Sequence, residues 1–341
     1  DTSGPSISIT SVAGDTGAPY WDAVNDLTTT LLINTGEAGV TCRTGTTNVA
    51  YDSLAASSCI TTGTQASCDL DPNDSLIQST SVTRYYACQD STGNSTATFS
   101  VEFGIDWTAP SIGQTAITSL ATATHAKSPA NLLSGIISDN LDANLADNIN
   151  TASCEYTLNN GSSWSSGTWD NGAGKCTAGS IALNDGSNTV NFRVRDQAGN
   201  TGTGTSVSYT KDNDAPTGLT LTIGIVMPSS IALGVSGATD AGAGLHAQPY
   251  QFNESTKPAS SGWQADSTWT HSALDVNTQY SYTANARDAL LNSATTAPQI
   301  RFTLAKAPGA LTVTDLSGST ANVNISDVNG NPAGTQFAIY D

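Results

Sequence analysis

Carboxylates are the side chains of this sequence with the most chemistry to offer. Of the 29 acidic residues only Glu37, Glu102, Glu155 and Glu254 are Glu, which leaves 25 Asp. Asp suits turns and hard-cation sites, whereas Glu suits helices. Asp139, Asp142, Asp212 and Asp214 are the candidate Ca2+ ligands. They stand in two Asp/Asn-rich stretches, Asp139-Asn-Leu-Asp142 (with Asp147 close behind) and Asp212-Asn-Asp-Ala-Pro216, which could combine at one domain edge. Ca2+ takes roughly six to eight oxygens, more than one loop supplies. A solvated acidic linker would read the same way. Asp106-Trp-Thr-Ala-Pro110 has the same form with fewer oxygens and is the poorer candidate.

A second set of Asp residues recurs. Asp90, Asp196 and Asp288 lie about a hundred residues apart, one β-sandwich length. Each ends an alternating run and precedes a turn that closes on Asn: Asp90-Ser-Thr-Gly-Asn94, Asp196-Gln-Ala-Gly-Asn200 and Asp288-Ala-Leu-Leu-Asn292. A carboxylate there can accept backbone N–H groups across a tight hairpin. Repetition in every domain favours that scaffolding role over catalysis.

The signatures of the common catalytic sites are absent: no Gly-x-Ser-x-Gly, no His-Glu-x-x-His and no phosphate loop. His125, His246 and His271 fall in unrelated contexts with no nucleophile nearby in sequence. The chain is therefore expected not to be an enzyme. Trp164 and Trp169 share one loop, and Trp263 and Trp269 hold a similar place further on. Indoles can stack on sugar faces, so these four are candidate ligand-binding residues. Packing at the edge of a core would use them equally well.

A net charge of −18, with eleven basic residues that form no run, argues against nucleic acid. No stretch is long and apolar enough for a membrane span, and nothing resembles a signal peptide. Cys42, Cys59, Cys68 and Cys88 fall in one repeat, Cys154 and Cys176 in the next. Even numbers confined to repeats indicate disulfides and an oxidising, extracellular compartment. Without Cys-x-x-Cys spacing, zinc is the weaker reading. Four Cys allow three pairings.

The elements that carry these residues are strands. Only 12 % of residues are charged, and Gly, Ser, Thr, Asn and Asp take their place, the composition of polar strands joined by tight turns. Alternating runs such as Ser6-Ile-Ser-Ile-Thr10, Asn188-Thr-Val-Asn-Phe-Arg-Val-Arg195 and Tyr280-Ser-Tyr-Thr-Ala284 read as strands. Asn159-Asn-Gly161 reads as a hairpin turn. No segment sustains helical periodicity. Two junctions of the same form end at Pro110 and Pro216. The predicted organisation is a sandwich over 1–107 with two disulfides, a second over 108–213 with one, a third over 214–306 and the start of a fourth over 307–341.

With these motifs the first two repeats resemble the immunoglobulin-like domains of long bacterial and archaeal cell-surface proteins. The carriers are Asp196 to Asn200, its variant Asp90 to Asn94, the Asp-x-x-Ala-Pro junctions at Asp106 and Asp212, and the series Cys42-Arg43, Tyr51, Cys88-Gln-Asp90. The third repeat, with Leu274, Thr278-Gln-Tyr280 and Ala286-Arg-Asp288, is more similar to a fibronectin type III domain. The resemblance implies an all-β chain of tandem sandwiches. It also implies a Cys42–Cys88 bridge, which leaves Cys59 to Cys68; because Val194 stands where Cys88 would, Cys154 is left to Cys176, and pairing of Cys42 with Cys59 or Cys68 stays open. The Asp212 junction resembles the calcium-binding linker of cadherins.

The expected function is a non-catalytic structural or adhesive stalk, or a surface-fibre segment, at the cell surface. Its partners would be further domains of a longer parent chain, with structural Ca2+ as the only cofactor. Two alternatives belong to other classes. One is an adhesin module that binds a cell-surface glycan or protein through exposed Trp. The other is a self-associating filament subunit that completes its sandwich with a neighbour's strand.

Overall fold

A computed structural model describes residues 2–24, 28–55, 59–70, 76–141, 148–317 and 320–338. Among them the regular structure is β, with one 3-10 turn at Tyr51–Ser53. No helix among them is long and apolar enough to cross a membrane. Asp142 and Asp147 lie outside the described residues. The chain forms two compact units, residues 1–118 with 129–208 and residues 119–128 with 209–341.

The first unit opens with two four-stranded sheets. One runs in the order Ser8–Val12, Thr30–Asn34, Gln65–Asp69, Cys59–Thr62; the other runs Tyr20–Asp22, Phe99–Ile105, Ser79–Gln89, Thr41–Gly45. Alternation decides which side chains enter. In Thr30–Asn34 only Leu31 and Ile33 are fully buried, as a period of two requires of a strand with one covered face. They join Val12, Cys42, Cys68, Cys88, Val101 and Phe103 in one core. Tyr20–Asp22 runs parallel to Phe99–Ile105, with Trp21 opposite Gly104. A Cβ on Gly104 would overlap the Trp21 ring, so a glycine admits the indole.

The same unit holds the sheet Ala116–Ile117, Ala130–Leu133, Lys175–Ile181, Thr168–Asp170. The long strand Ser187–Asp196 pairs with Ile149–Thr157 on one side of its hairpin and with Thr201–Thr203 on the other. Val190, Phe192 and Val194 alternate inward along it and are fully buried.

In the second unit, Thr220–Val226, Ser230–Ser236 and Thr268–Ser272 form one sheet. Leu245–Glu254 and Gln279–Asp288 lead the other, flanked by Ala259–Ser260, Ser293–Thr295 and Gln299–Phe302. Tyr280, Tyr282, Ala284 and Ala286 face inward at every second position and are fully buried. Phe252, Leu233 and Ile231 fill the space between the sheets. Ala310–Ser317 and Thr320–Asp327 form a separate two-stranded hairpin.

Candidate carboxylate sites

The recurrent Asp-to-Asn turn is built the same way three times. The Asp196 N–H donates to the Asn200 carbonyl at 3.1 Å and the Gly199 N–H returns to the Asp196 carbonyl at 3.3 Å. Oδ1 of Asp196 accepts the Asn200 N–H at 2.8 Å, and Oδ2 accepts the Asn200 side-chain amide at 2.8 Å. Asp90 repeats this with Asn94 and adds the N–H and hydroxyl of Thr92. Asp288 repeats it with Asn292 and adds the Leu290 N–H. The penultimate turn residue needs positive φ: Gly93 at 93° and Gly199 at 95°, but Leu291 at 60°. The carboxylate thus organises the turn by satisfying N–H groups that the hairpin leaves unpaired.

Two of the three turns also take part in carboxylate clusters. Asp106, Asp139 and Asp196 bring one oxygen each to within 4.8 Å of one another, and so do Asp212, Asp240 and Asp288. Each cluster joins the Asp that follows Phe99–Ile105 or Val207–Lys211, a second Asp (Asp139 just after Ile137–Ser138, or Asp240 in a loop) and the Asp of the turn. Asp106 and Asp288 are fully buried, and Asp196 and Asp212 nearly so.

The turn asparagine links these parts. The Asn200 side-chain amide donates to the Asp106 carbonyl at 2.7 Å, and the Asn292 amide reaches the Asp212 carbonyl at 3.4 Å. Buried Asn148 donates to Asp106 Oδ2 at 2.7 Å and to Asp139 Oδ1 at 2.9 Å. In the second cluster backbone N–H groups serve instead. Ala243 donates to Asp212 Oδ2 at 2.6 Å, while Gly242 and Gly244 donate to Asp240 Oδ1 at 3.1 and 2.8 Å. A Cβ on Gly242 would overlap the Asp212 carboxylate, so that approach requires glycine.

Asp90 and Asp196 have the same turn but opposite acidities. Burial raises the Asp90 carboxyl, yet its bonds from Asn94 and Thr92 outweigh that and bring it down to about 2. Burial pushes Asp196 up to about 6, and the Asp106 and Asp139 charges push the same way against the Asn200 hydrogen bonds. Three clustered carboxylates with all-oxygen donors fit a hard divalent cation, whose charge would offset their repulsion. The residues present therefore suit Ca2+ chemically.

The sequence candidates are regrouped. Asp139 belongs with Asp106 and Asp196, and Asp212 with Asp240 and Asp288. Exposed Asp214 takes no part beyond its N–H, which donates to Asp212 Oδ1 at 3.1 Å. Asp106, in the junction read as the poorer one, holds the same place as Asp212. Ala238-Thr-Asp-Ala-Gly242 has no alternation and no second carboxylate beside it, so no local pattern marks Asp240.

The tryptophans are half-buried and engaged. The Arg193 guanidinium lies 4.4 Å from the Trp164 ring centre, and Arg287 lies 4.2 Å from that of Trp263. Trp269 stacks on His271 at 4.7 Å and on Phe252 at 6.2 Å. Trp169 lies in Thr168–Asp170, opposite Cys176. His271 also meets the Tyr282 hydroxyl at 3.1 Å, and burial lowers its basicity. His125 and His246 make local contacts with Thr124 and Gln248. Disulfides join Cys42 to Cys88, Cys59 to Cys68 and Cys154 to Cys176.

No protein-family model matches the chain, and no curated protein matches it. Among solved structures it is similar to the FN1-FN3 domains of chicken CNTN1, at 10 % identity and TM-score 0.35, covering 89 % of this chain and 100 % of that one. A group of titin domains is similar at 11 % identity and TM-score 0.39, covering 88 % and 99 %. A tetra-tandem repeat from the extending region of a large adhesion protein is similar at 19 % identity and TM-score 0.26, covering 85 % and 73 %. By its own sheets the chain is an all-β protein in which sheets pack face to face over shared cores.

Proposed function

We propose that this chain is a non-catalytic segment of an extracellular stalk or surface fibre, with sandwiches over 1–107, 108–213 and 214–306 and a fourth beginning at 307, and that Ca2+ stiffens it. The observation that carries this reading is the recurrence of one construction, in which the carbonyl of the Asp that follows a strand is held by the Asn of a later hairpin turn, itself bonded to the turn's Asp. A catalytic site has no reason to recur with the fold; a joint does. Ca2+ at Asp106, Asp139 and Asp196, and at Asp212, Asp240 and Asp288, would add a charge-based restraint to the hydrogen-bonded one. The motif resemblance supports a bacterial or archaeal origin, and the three disulfides support an extracellular placement at the cell surface.

The test is small-angle scattering with light scattering on the purified chain, in Ca2+ and then in EDTA. The expected result is an elongated monomer that loosens in EDTA. A compact particle would overturn the stalk; identical curves would remove Ca2+ and leave the stalk standing. One observation favours the filament alternative: Leu311, Val313 and Val323 on the terminal hairpin are exposed. A mass that grows with concentration would put that reading first.

A further inference from the structure

In the second group of sheets a groove of about 510 Å3 opens beside the Ile149–Thr157 strand. Tyr156, Asn159, Ser163 and Ser165 form one wall, and Ser180 and Asn184 stand on the other. Its volume falls in the range of small-ligand sites, roughly 300 to 1,000 Å3. None of the side chains lining it is charged.

The walls are shaped to present these groups. Asn159 holds its side by accepting the Ser163 N–H at 2.9 Å and donating to the Ser163 hydroxyl at 2.8 Å. Tyr156 lies opposite Ser165 in the strand register, its ring tilted against fully buried Phe192. Across the groove, Ala130 pairs with Ile181 and Leu132 with Ala178, so one extra residue bulges from the Lys175–Ile181 strand. Ser180 takes that bulge at φ 55°, its N–H tied to Asn131 Oδ1 at 2.9 Å. Bulges re-aim side chains, and a non-glycine residue held at positive φ persists only where its surroundings impose it.

The hydrogen-bonding capacity of this groove is largely unspent. Among the described residues, the Tyr156, Ser165 and Ser180 hydroxyls and the Asn184 side-chain amide make no hydrogen bond to the protein. An anionic or cationic ligand would find no opposite charge there, and an uncompensated charge is costly to desolvate. An apolar ligand would leave hydroxyls and an amide unpaired. A neutral ligand with many hydroxyls meets both conditions, and an aromatic ring beside hydroxyl and amide groups suits it. We propose that this groove binds a neutral saccharide. The four tryptophans first considered for that role already stack on Arg193, on Arg287, or on Phe252 and His271, or lie beside Cys176. The proposal rests on neither the stalk nor the Ca2+ reading.

The test applies the 341-residue chain to an array of neutral oligosaccharides and titrates the strongest hit by calorimetry. Wild type, Tyr156→Phe, Asn184→Ala and Trp164→Ala are compared, with thermal melts confirming each fold. Tyr156→Phe keeps the ring, and Asn184 is exposed, so both variants should stay folded. Each groove variant is expected to weaken binding about tenfold, and Trp164→Ala to change it by less than about twofold. Absence of any neutral hit, binding that survives both groove substitutions, or binding lost with Trp164 would each overturn the proposal.

Discussion

The Asn200 side-chain amide donates to the Asp106 carbonyl at 2.7 Å across 94 residues of sequence, while the same nitrogen holds Asp196 Oδ2 at 2.8 Å. One amide thus serves the turn and fastens the exit of an earlier strand to it. Asn200→Ala removes both bonds and leaves a buried carboxylate and a carbonyl without them. The expected loss is about 2 kcal/mol by urea denaturation. Asn94→Ala should cost less, because its amide donates to Asp90 and Thr92 and Asp90 is less deeply buried than Asp196, at 9 % against 1 % exposed.

Leu291 stands at φ 60° where the sister turns have Gly93 and Gly199. Left-handed backbone costs a residue with a Cβ roughly 1 to 2 kcal/mol. The Leu291 side chain is 47 % exposed, so little packing offsets that cost. Leu291→Gly is expected to raise stability by about 1 kcal/mol in thermal or chemical melts, even though the glycine widens the unfolded ensemble. The same change at fully buried Leu290 should instead destabilise by several kcal/mol.

The Cys42–Cys88 bridge spans 46 residues and Cys59–Cys68 spans 9. Loop-closure entropy favours the longer one, at about 4 kcal/mol against roughly 2.6. Replacing Cys42 and Cys88 together by Ala should therefore lower the denaturation midpoint more than replacing Cys59 and Cys68. Equal midpoints would show that strain or residual structure, not loop length, governs both.

Much of this construction was legible in the chain. Alternation marks Ser187–Asp196 and Gln279–Asp288 as strands because each buries one face, and the Asp-to-Asn spacing marks the turns because the carboxylate must reach N–H groups two to four residues on. The clusters were not legible in the same way. Asp106 and Asp196 meet only once two strand groups are in place, and no local pattern encodes that approach. Asp139 and Asp212 look alike in sequence, both being flanked by Asn. Their positions in the fold differ: Asp139 follows the short strand Ile137–Ser138, and Asp212 follows Val207–Lys211. Likeness of composition therefore paired residues that the topology assigns to different triads.

The raised pKa of Asp196 gives a test of both the cluster and the proposed cation. Its carboxyl titrates near 6 in the folded chain, against about 3.9 when unfolded. Between those values the native state holds a proton that the unfolded state has released, so stability falls as pH rises from about 4 to about 6. Over the full shift the loss is at most roughly 3 kcal/mol. Asp90 has the opposite sign: its folded carboxyl lies near 2, so the stability it lends is lost only as pH falls through the range below about 4. Melts of the metal-free chain should therefore show Asp196→Asn abolishing part of the decline between pH 4 and pH 6, while Asp90→Asn leaves that decline in place. Ca2+ at the proposed site would bind the ionised cluster, so it is expected to restore stability above pH 6 and do little at pH 4.5. A Ca2+ increment that is the same at both pH values would mean the ion binds elsewhere. A metal-free profile unchanged by Asp196→Asn would mean that burial and the neighbouring carboxylates do not raise Asp196 in the folded chain.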